Sequence, residues 1–166
     1  FTLRPSQPPA GTFCTPEAEM GAALCGLKDL PIAGLGGILW LSKRRKLSPD
    51  RFGKPSPVHA LTALRLALGD PVESALQAAA DLALDGRTEP GWAALNQVHV
   101  FIFEDTVRGL TSLQTGIDLL HQRNIDLQVS AFGITTDPSK RTVLESAGAV
   151  VYPTLSDALL AAGILN

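Results

Sequence analysis

With 166 residues, 45% of them hydrophobic and 18% charged, the chain has enough apolar mass for one core and reads as an ordinary soluble globular domain. Its net charge of −2 leaves no basic excess for nucleic acid, and no apolar run reaches the roughly 18 residues that cross a bilayer, so neither nucleic acid nor membrane is expected as a partner. Cys14 and Cys25 make no CxxC and have no nearby histidine. Zinc and a disulfide framework are therefore not indicated, and two buried free thiols in a cytoplasmic protein are expected.

In chain order, residues 1–11 are rich in proline and read as irregular or a linker. The sequence starts at Phe1 with no initiator Met or signal peptide, which reads as a fragment. Four pairs then place a capping residue before proline: Thr15-Pro16, Ser48-Pro49, Ser56-Pro57 and Asp70-Pro71. They predict several short helices, around Pro16–Leu24, Pro57–Leu68 and Pro71–Leu84. Ile32–Leu41 is apolar with three glycines, and periodicity does not decide between strand and helix. Asp85–Trp92 reads as a loop.

The C-terminal part alternates. Val98–Phe103, Leu127–Phe132 and Ala149–Tyr152 are apolar runs of strand length. Between the first two, Leu110, Leu113, Ile117 and Leu120 recur at helical spacing within Val107–Arg123. Between the second and third, Asp137-Pro138 supplies a helix start and Gly148 a stop. "TLSD", from Thr154, is a capping box for a last helix that Gly163 closes. Strands alternating with helices predict an α/β domain with a Rossmann-like parallel sheet flanked by helices.

In such a sheet ligands bind beyond the carboxyl ends of the strands. Glu104 and Asp105 fall at that edge of the first strand, with Gly109 allowing the following turn to pack closely. Two adjacent carboxylates suit a hard cation such as Mg²⁺, but taken alone they read first as simple caps at the positive end of the next helix. Upstream, Lys54 stands before Pro55, Ser56 and Pro57, near a helix N-terminus where anions are favoured. Alone it reads as a solvated surface lysine.

Together these stretches resemble a known family. "GKPSP" followed by an Ala/Leu helix, then a hydrophobic strand ending "FEDTVRG", is similar to motifs III and IV of the haloacid dehalogenase-like hydrolases. The tail Phe132–Leu159, "FGITTDPSKRTVLESAGAVVYPTLSDAL", looks like the same family. The resemblance spans about residues 52–69 and 98–162. It implies the core of a Mg²⁺-dependent phosphate-monoester phosphatase acting on a small phosphorylated metabolite. In that reading Lys54 is catalytic and substrate-binding, neutralising the phosphoryl group and the nucleophile. Asp105 ligates Mg²⁺, Glu104 assists as a ligand or as an acceptor behind it, and Thr106 shapes the substrate loop.

Two departures qualify the transfer. The family's nucleophile lies in a DxDxT/V motif, and no two aspartates here are spaced two apart. The family's phosphate-binding Ser/Thr is not securely placed, Thr2 being the best candidate. Lys54 and Glu104 are also separated by about twice the usual length, the surplus over 70–97 reading as a helical insertion in one domain of residues 1–166. The expectation is the C-terminal part of a longer hydrolase core, incomplete at its N-terminus. The alternative is a non-catalytic HAD-like binding or regulatory domain lacking the nucleophile motif.

The remaining motifs have plainer readings. "SKRRK" (Ser42–Lys46) reads as the cationic end of a helix or as an anion-steering patch. "GLGG" (Gly34–Gly37) lacks GxGxxG spacing, no GxSxG elbow is present, and His59, His99 and His121 read as structural. Substrate and oligomeric state are not legible.

Overall fold

The computed structural model describes residues 2–10 and 14–165. The three apolar runs become strands β1 (His99–Glu104), β2 (Gln128–Ile134) and β3 (Val150–Tyr152), paired in parallel in the order β1-β2-β3. Phe103 lies opposite Phe132, and Phe132 opposite Val150. Parallel neighbours need crossovers. These are α5 (Val107–His121) and α6 (Pro138–Ser146), and α7 (Leu155–Ala161) follows β3. The domain is thus α/β, a small parallel sheet flanked by helices.

The crossover helices form where spacing and caps predict them. Leu110, Leu113, Ile117 and Leu120 of α5 are all buried. Asp137 accepts hydrogen bonds from the Ser139 and Lys140 N–H groups at 2.8 and 3.3 Å, opening α6. Thr154 Oγ1 accepts from the Asp157 N–H at 3.2 Å, opening α7. Gly148 and Gly163 take positive φ just past the two ends.

The proline starts differ in outcome. Ser56 caps α3 (Pro57–Ala67), but Ser48 precedes only a three-residue 3-10 turn, Pro49–Arg51. Helices α1 (Glu17–Leu24) and α4 (Val72–Asp85) form without side-chain caps. At α4 the reason is visible: Asp70 turns back to pair with Arg65, whose guanidinium lies 5.0 Å over the buried Trp92 ring.

The glycine-rich stretch 32–41 proves mainly helical, as α2 (Leu35–Arg45). Its first N–H groups, orphaned as at any helix start, are met by the N-terminal segment. The Leu35 N–H donates to the Arg4 carbonyl at 3.1 Å, and the Gly36 N–H to Ser6 Oγ at 3.0 Å. A Cβ on Gly36 would overlap the Ser6 carbonyl oxygen. "GLGG" is therefore a packing device. Residues 2–8, irregular in backbone, are bonded to Ala33, to the start of α2 and to Ala18 and Glu19 of the first helix, and lie against the domain instead of trailing from it.

The basic run closes α2, and it is used internally. Arg45 reaches Asp81 and Asp85 at 2.9 and 2.6 Å, and Arg87 reaches the same two carboxylates at 2.7 and 2.9 Å. Residues 70–97 are not peripheral either. Leu76, Leu82, Trp92 and Leu95 share one buried cluster with Leu61 and Leu64 of α3 and Leu113 and Ile117 of α5. Val100, Ile102 and Val129 close that cluster from the sheet. The opposite face carries a cluster of rings: His99 lies 4.2 Å from Phe101, and Phe132 sits among Phe101, Phe103 and Tyr152 at centroid distances of 6.4, 5.1 and 6.1 Å.

One expectation about the thiols is corrected. Both cysteines are free, but Cys14 is only half-buried and Cys25 is exposed. Cys25 follows α1, whose Met20 and Leu24 also face outward. No helix among the described residues is long and apolar enough to cross a membrane.

His59 ties α3 to the N-terminal half. Its Nε2 donates to the Ala33 carbonyl at 2.9 Å, and burial, reinforced by the charge of Lys54, lowers its pKa to about 4. The unfolded chain, with its histidine near 6.5, binds the extra proton first. Stability is therefore complete above about pH 6.5 and falls as pH drops towards 4, by on the order of 3 kcal/mol. Urea unfolding of the parent and of His59→Gln across that window should show the slope in the parent and a flatter profile in the variant.

Candidate functional site

At the carboxyl edge of β1 the alternation that buries Val100 and Ile102 sends Glu104 to the same, helix-covered face. Its side chain is only 5% exposed. A lone buried carboxylate there would be strongly unfavourable, and the fold supplies a cation. Lys54, carried on the segment between the Pro49–Arg51 turn and α3, pairs with Glu104 Oε1, its own side chain only 10% exposed. The other oxygen, Oε2, accepts from the Thr106 hydroxyl at 2.9 Å. Thr106 in turn accepts from the Gly109 N–H at 3.3 Å and so caps α5. Gly109 leaves room for the carboxylate, because a Cβ there would overlap both Glu104 oxygens.

Helix α5 also braces the lysine segment. Prolines 55 and 57 deprive "KPSP" of two backbone donors, and its carbonyls are held from outside. Arg108 donates to the Lys54 carbonyl at 2.7 Å, and Ser112 Oγ donates to the Ser56 carbonyl at 2.6 Å. Three parts of the chain are thereby locked together: the strand end, the first turns of α5 and the Lys54–Ser56 segment.

Beside this lock opens a cleft of about 820 Å³, lined among others by Thr2, Arg4, Glu17, Lys54, Asp105, Thr106 and Arg108. All four residues singled out in sequence, Lys54, Glu104, Asp105 and Thr106, border it, and so does Thr2. The adjacent carboxylates have separate environments. Glu104 is engaged at both oxygens, whereas Asp105 is exposed and accepts no hydrogen bond among the described residues. The plain helix-cap reading of the pair is corrected, since the cap of α5 is the Thr106 hydroxyl.

The donor set decides how a divalent cation could be accommodated. Among the described residues no group of three His, Cys, Asp or Glu side chains is arranged to hold a metal. Asp105 offers one free hard-oxygen ligand, which fits a Mg²⁺ that keeps several waters and takes phosphate oxygens. Glu104 fits better as the acceptor that positions Lys54. His59 lies outside the cleft lining, bonded to Ala33. His99 is exposed beside Ser130, and His121 lies 4.0 Å from Asp126.

Arg108 and Ser112 were not singled out in sequence. The available signal was their i, i+4 spacing, which puts two polar side chains on one face of an otherwise apolar-striped helix. Comparison with protein-family models, with curated proteins and with solved structures finds no match to this chain.

Two glycines of α5 separate packing from propensity. Alanine is the better helix former by about 1 kcal/mol. Gly109→Ala should nevertheless destabilise by about 2 kcal/mol, since the new methyl must displace the Glu104 carboxylate. Gly116→Ala meets the flexible Leu61 side chain at 3.3 and 3.4 Å and Pro57 Cβ at an ordinary 3.9 Å, and should stay within about 0.5 kcal/mol of the parent. Urea midpoints measure both; equal stability of the two variants would show that Glu104 is not held against α5.

Breaking the ion pair is the complementary experiment. Lys54→Met should cost about 3 kcal/mol by leaving Glu104 buried and unmatched, and adding Glu104→Gln should recover part of that loss. A double-mutant cycle reads the coupling; additive losses would dissolve the pair.

Proposed function

We propose that this chain is the C-terminal part of a haloacid dehalogenase-like hydrolase core and that the complete enzyme hydrolyses a small phosphate monoester with Mg²⁺. One observation carries the reading. Thr2, Lys54, Asp105 and Thr106, from three separate stretches of sequence, border one cleft at the carboxyl edge of a parallel sheet, where such sheets bind ligands. In this reading Asp105 holds the cation, and Mg²⁺ when bound supplies charge stabilisation at the phosphoryl oxygens. Lys54, fixed in direction by Glu104, places a positive charge beside the same oxygens. Thr2 offers a hydroxyl donor, Thr106 shapes the loop with its own hydroxyl given to Glu104, and Arg108 keeps the Lys54 backbone in place.

The proposal puts the nucleophilic aspartate outside these 166 residues, because no two aspartates within them are spaced two apart. The same fact favours a second reading, a non-catalytic domain that keeps an anion site.

The test compares the 166-residue chain with the product of a longer reading frame, using an aryl phosphate with and without Mg²⁺. The short chain should be inactive. The longer form should turn over only with Mg²⁺, and Asp105→Asn or Lys54→Met should each lower its kcat by about 100-fold or more. Phosphate-ester binding without turnover by the longer form would establish the non-catalytic reading. An active enzyme indifferent to Asp105→Asn would remove the site assignment.

A further inference from the structure

Every arginine except Arg4 and Arg51 gives a side-chain hydrogen bond to a neighbour within the domain. Those two guanidinium groups have no such partner among the described residues. Arg51 is not among the residues lining the cleft or the cavities next to it, whereas Arg4 lines the cleft that holds Lys54 and Asp105. The Arg4 side chain is exposed, but its backbone is held on every side. Its N–H donates to Thr2 Oγ1 and its carbonyl accepts from the Leu35 N–H, both at 3.1 Å. Pro5 fixes the next φ, and its carbonyl accepts from the Ala18 N–H at 2.9 Å. A Cβ on Gly34 would overlap Ser6, so the segment is closely seated. An uncommitted cation thus stands on a rigid base.

At about 820 Å³ the cleft has the size of a whole small-molecule site and not of a phosphoryl group alone. Arg4 also lines an adjoining cavity of about 420 Å³ that follows α1 to Pro31 and Ile32. The other two cationic groups of the cleft are already engaged. Lys54 is matched by Glu104, and Arg108 donates to the Lys54 carbonyl. One acid, Glu17 on the first turn of α1, borders both spaces with Arg4. Its carboxylate accepts from the Thr15 hydroxyl at 3.4 Å and forms no ion pair with Arg4 among the described residues. A water-facing guanidinium presents a planar fork of donors that fits a carboxylate or a phosphate.

We infer that Arg4 reads a second anionic group on the substrate, a carboxylate or a further phosphate joined to the phosphate monoester by a short chain. The inference rests on the hydrolase reading, which assigns the first anion to Lys54 and the cation at Asp105; it adds the part of the molecule that is not transferred. A neutral ester enters the same cleft but leaves the Arg4 guanidinium to water. Glu17 keeps the preference modest, because a carboxylate beside Arg4 repels the incoming acid.

The probes are propyl phosphate, its counterpart with a terminal carboxylate, its counterpart with a terminal phosphate, and the same trio on a five-carbon chain. Calorimetric titration of the 166-residue chain with Mg²⁺, at constant ionic strength, gives the Kd of each. On at least one chain length a two-acid ester should bind about fivefold more tightly than its neutral-ended counterpart, the gain of one exposed ion pair. Whichever two-acid arm gains more, carboxylate or phosphate, names the second group. Arg4→Met should erase the ratio, Arg4→Lys should keep part of it, and Glu17→Gln should widen it. Arg51→Met, which removes an equally uncommitted arginine away from the cleft, should leave the ratio as it is. If Arg4→Met does not fold, Arg4→Lys and Glu17→Gln carry the test. Equal binding of all six esters would overturn the inference and leave the hydrolase reading standing. A ratio that survives Arg4→Met, or falls as far with Arg51→Met, would also overturn it. Failure of every ester to bind would remove the anion site and the inference together.

Discussion

The pair between Lys54 and Glu104 is the constraint around which this end of the molecule is organised. A carboxylate at the end of an apolar strand, turned to the helix-covered face, is tolerated only if both oxygens are met. Meeting them requires a lysine brought from 50 positions away, a threonine two residues on and a glycine where α5 passes. The lysine segment must then be held still, and Arg108 and Ser112 do this by taking its carbonyls. Buried ion pairs of this kind contribute little net stability but are expensive to break. Their effect is geometric: one arrangement of strand, helix and loop satisfies the charges, and alternatives leave one bare.

That organisation separates two carboxylates which look equivalent in sequence. Glu104 is committed inward, and Asp105 is left exposed at the cleft, its oxygens accepting no hydrogen bond among the described residues. Adjacent acids at a strand end therefore do different work, one setting the lysine and the other available to a ligand. The peptide that follows a strand end reverses side-chain direction, and this is all that such a division of roles needs.

The C-terminal half of the fold was readable because its signals are local. Apolar runs, helical spacing and caps such as Asp137 and Thr154 act within a few residues, and the strands and helices fall within about two positions of where those signals place them. The N-terminal half was less legible because its structure depends on distant partners. Asp70 could not be seen to prefer Arg65 to the helix start, nor "GLGG" to need Ser6. Residues 70–97 read as an insertion, yet Trp92 and Leu95 belong to the main core. At the site, the residue types and their order were visible and drew the family resemblance. The bond between Lys54 and Glu104 and the bracing by Arg108 were not, since no local pattern encodes a contact across 50 residues.

The two tryptophans give the molecule a built-in optical division. Trp92 is fully buried, with the Arg65 guanidinium over its ring. Trp40 sits half-exposed on α2 with Arg44 at 5.5 Å. Indole emission moves to longer wavelength as water reaches the ring, so the native spectrum is a sum of a blue component from the core and a redder one from α2. Loosening of the 70–97 segment would shift the first and would reach the second as well, because Trp40 packs against the same core cluster. An unlabelled fluorescence spectrum therefore reports the opening of the shared core through the blue component of Trp92.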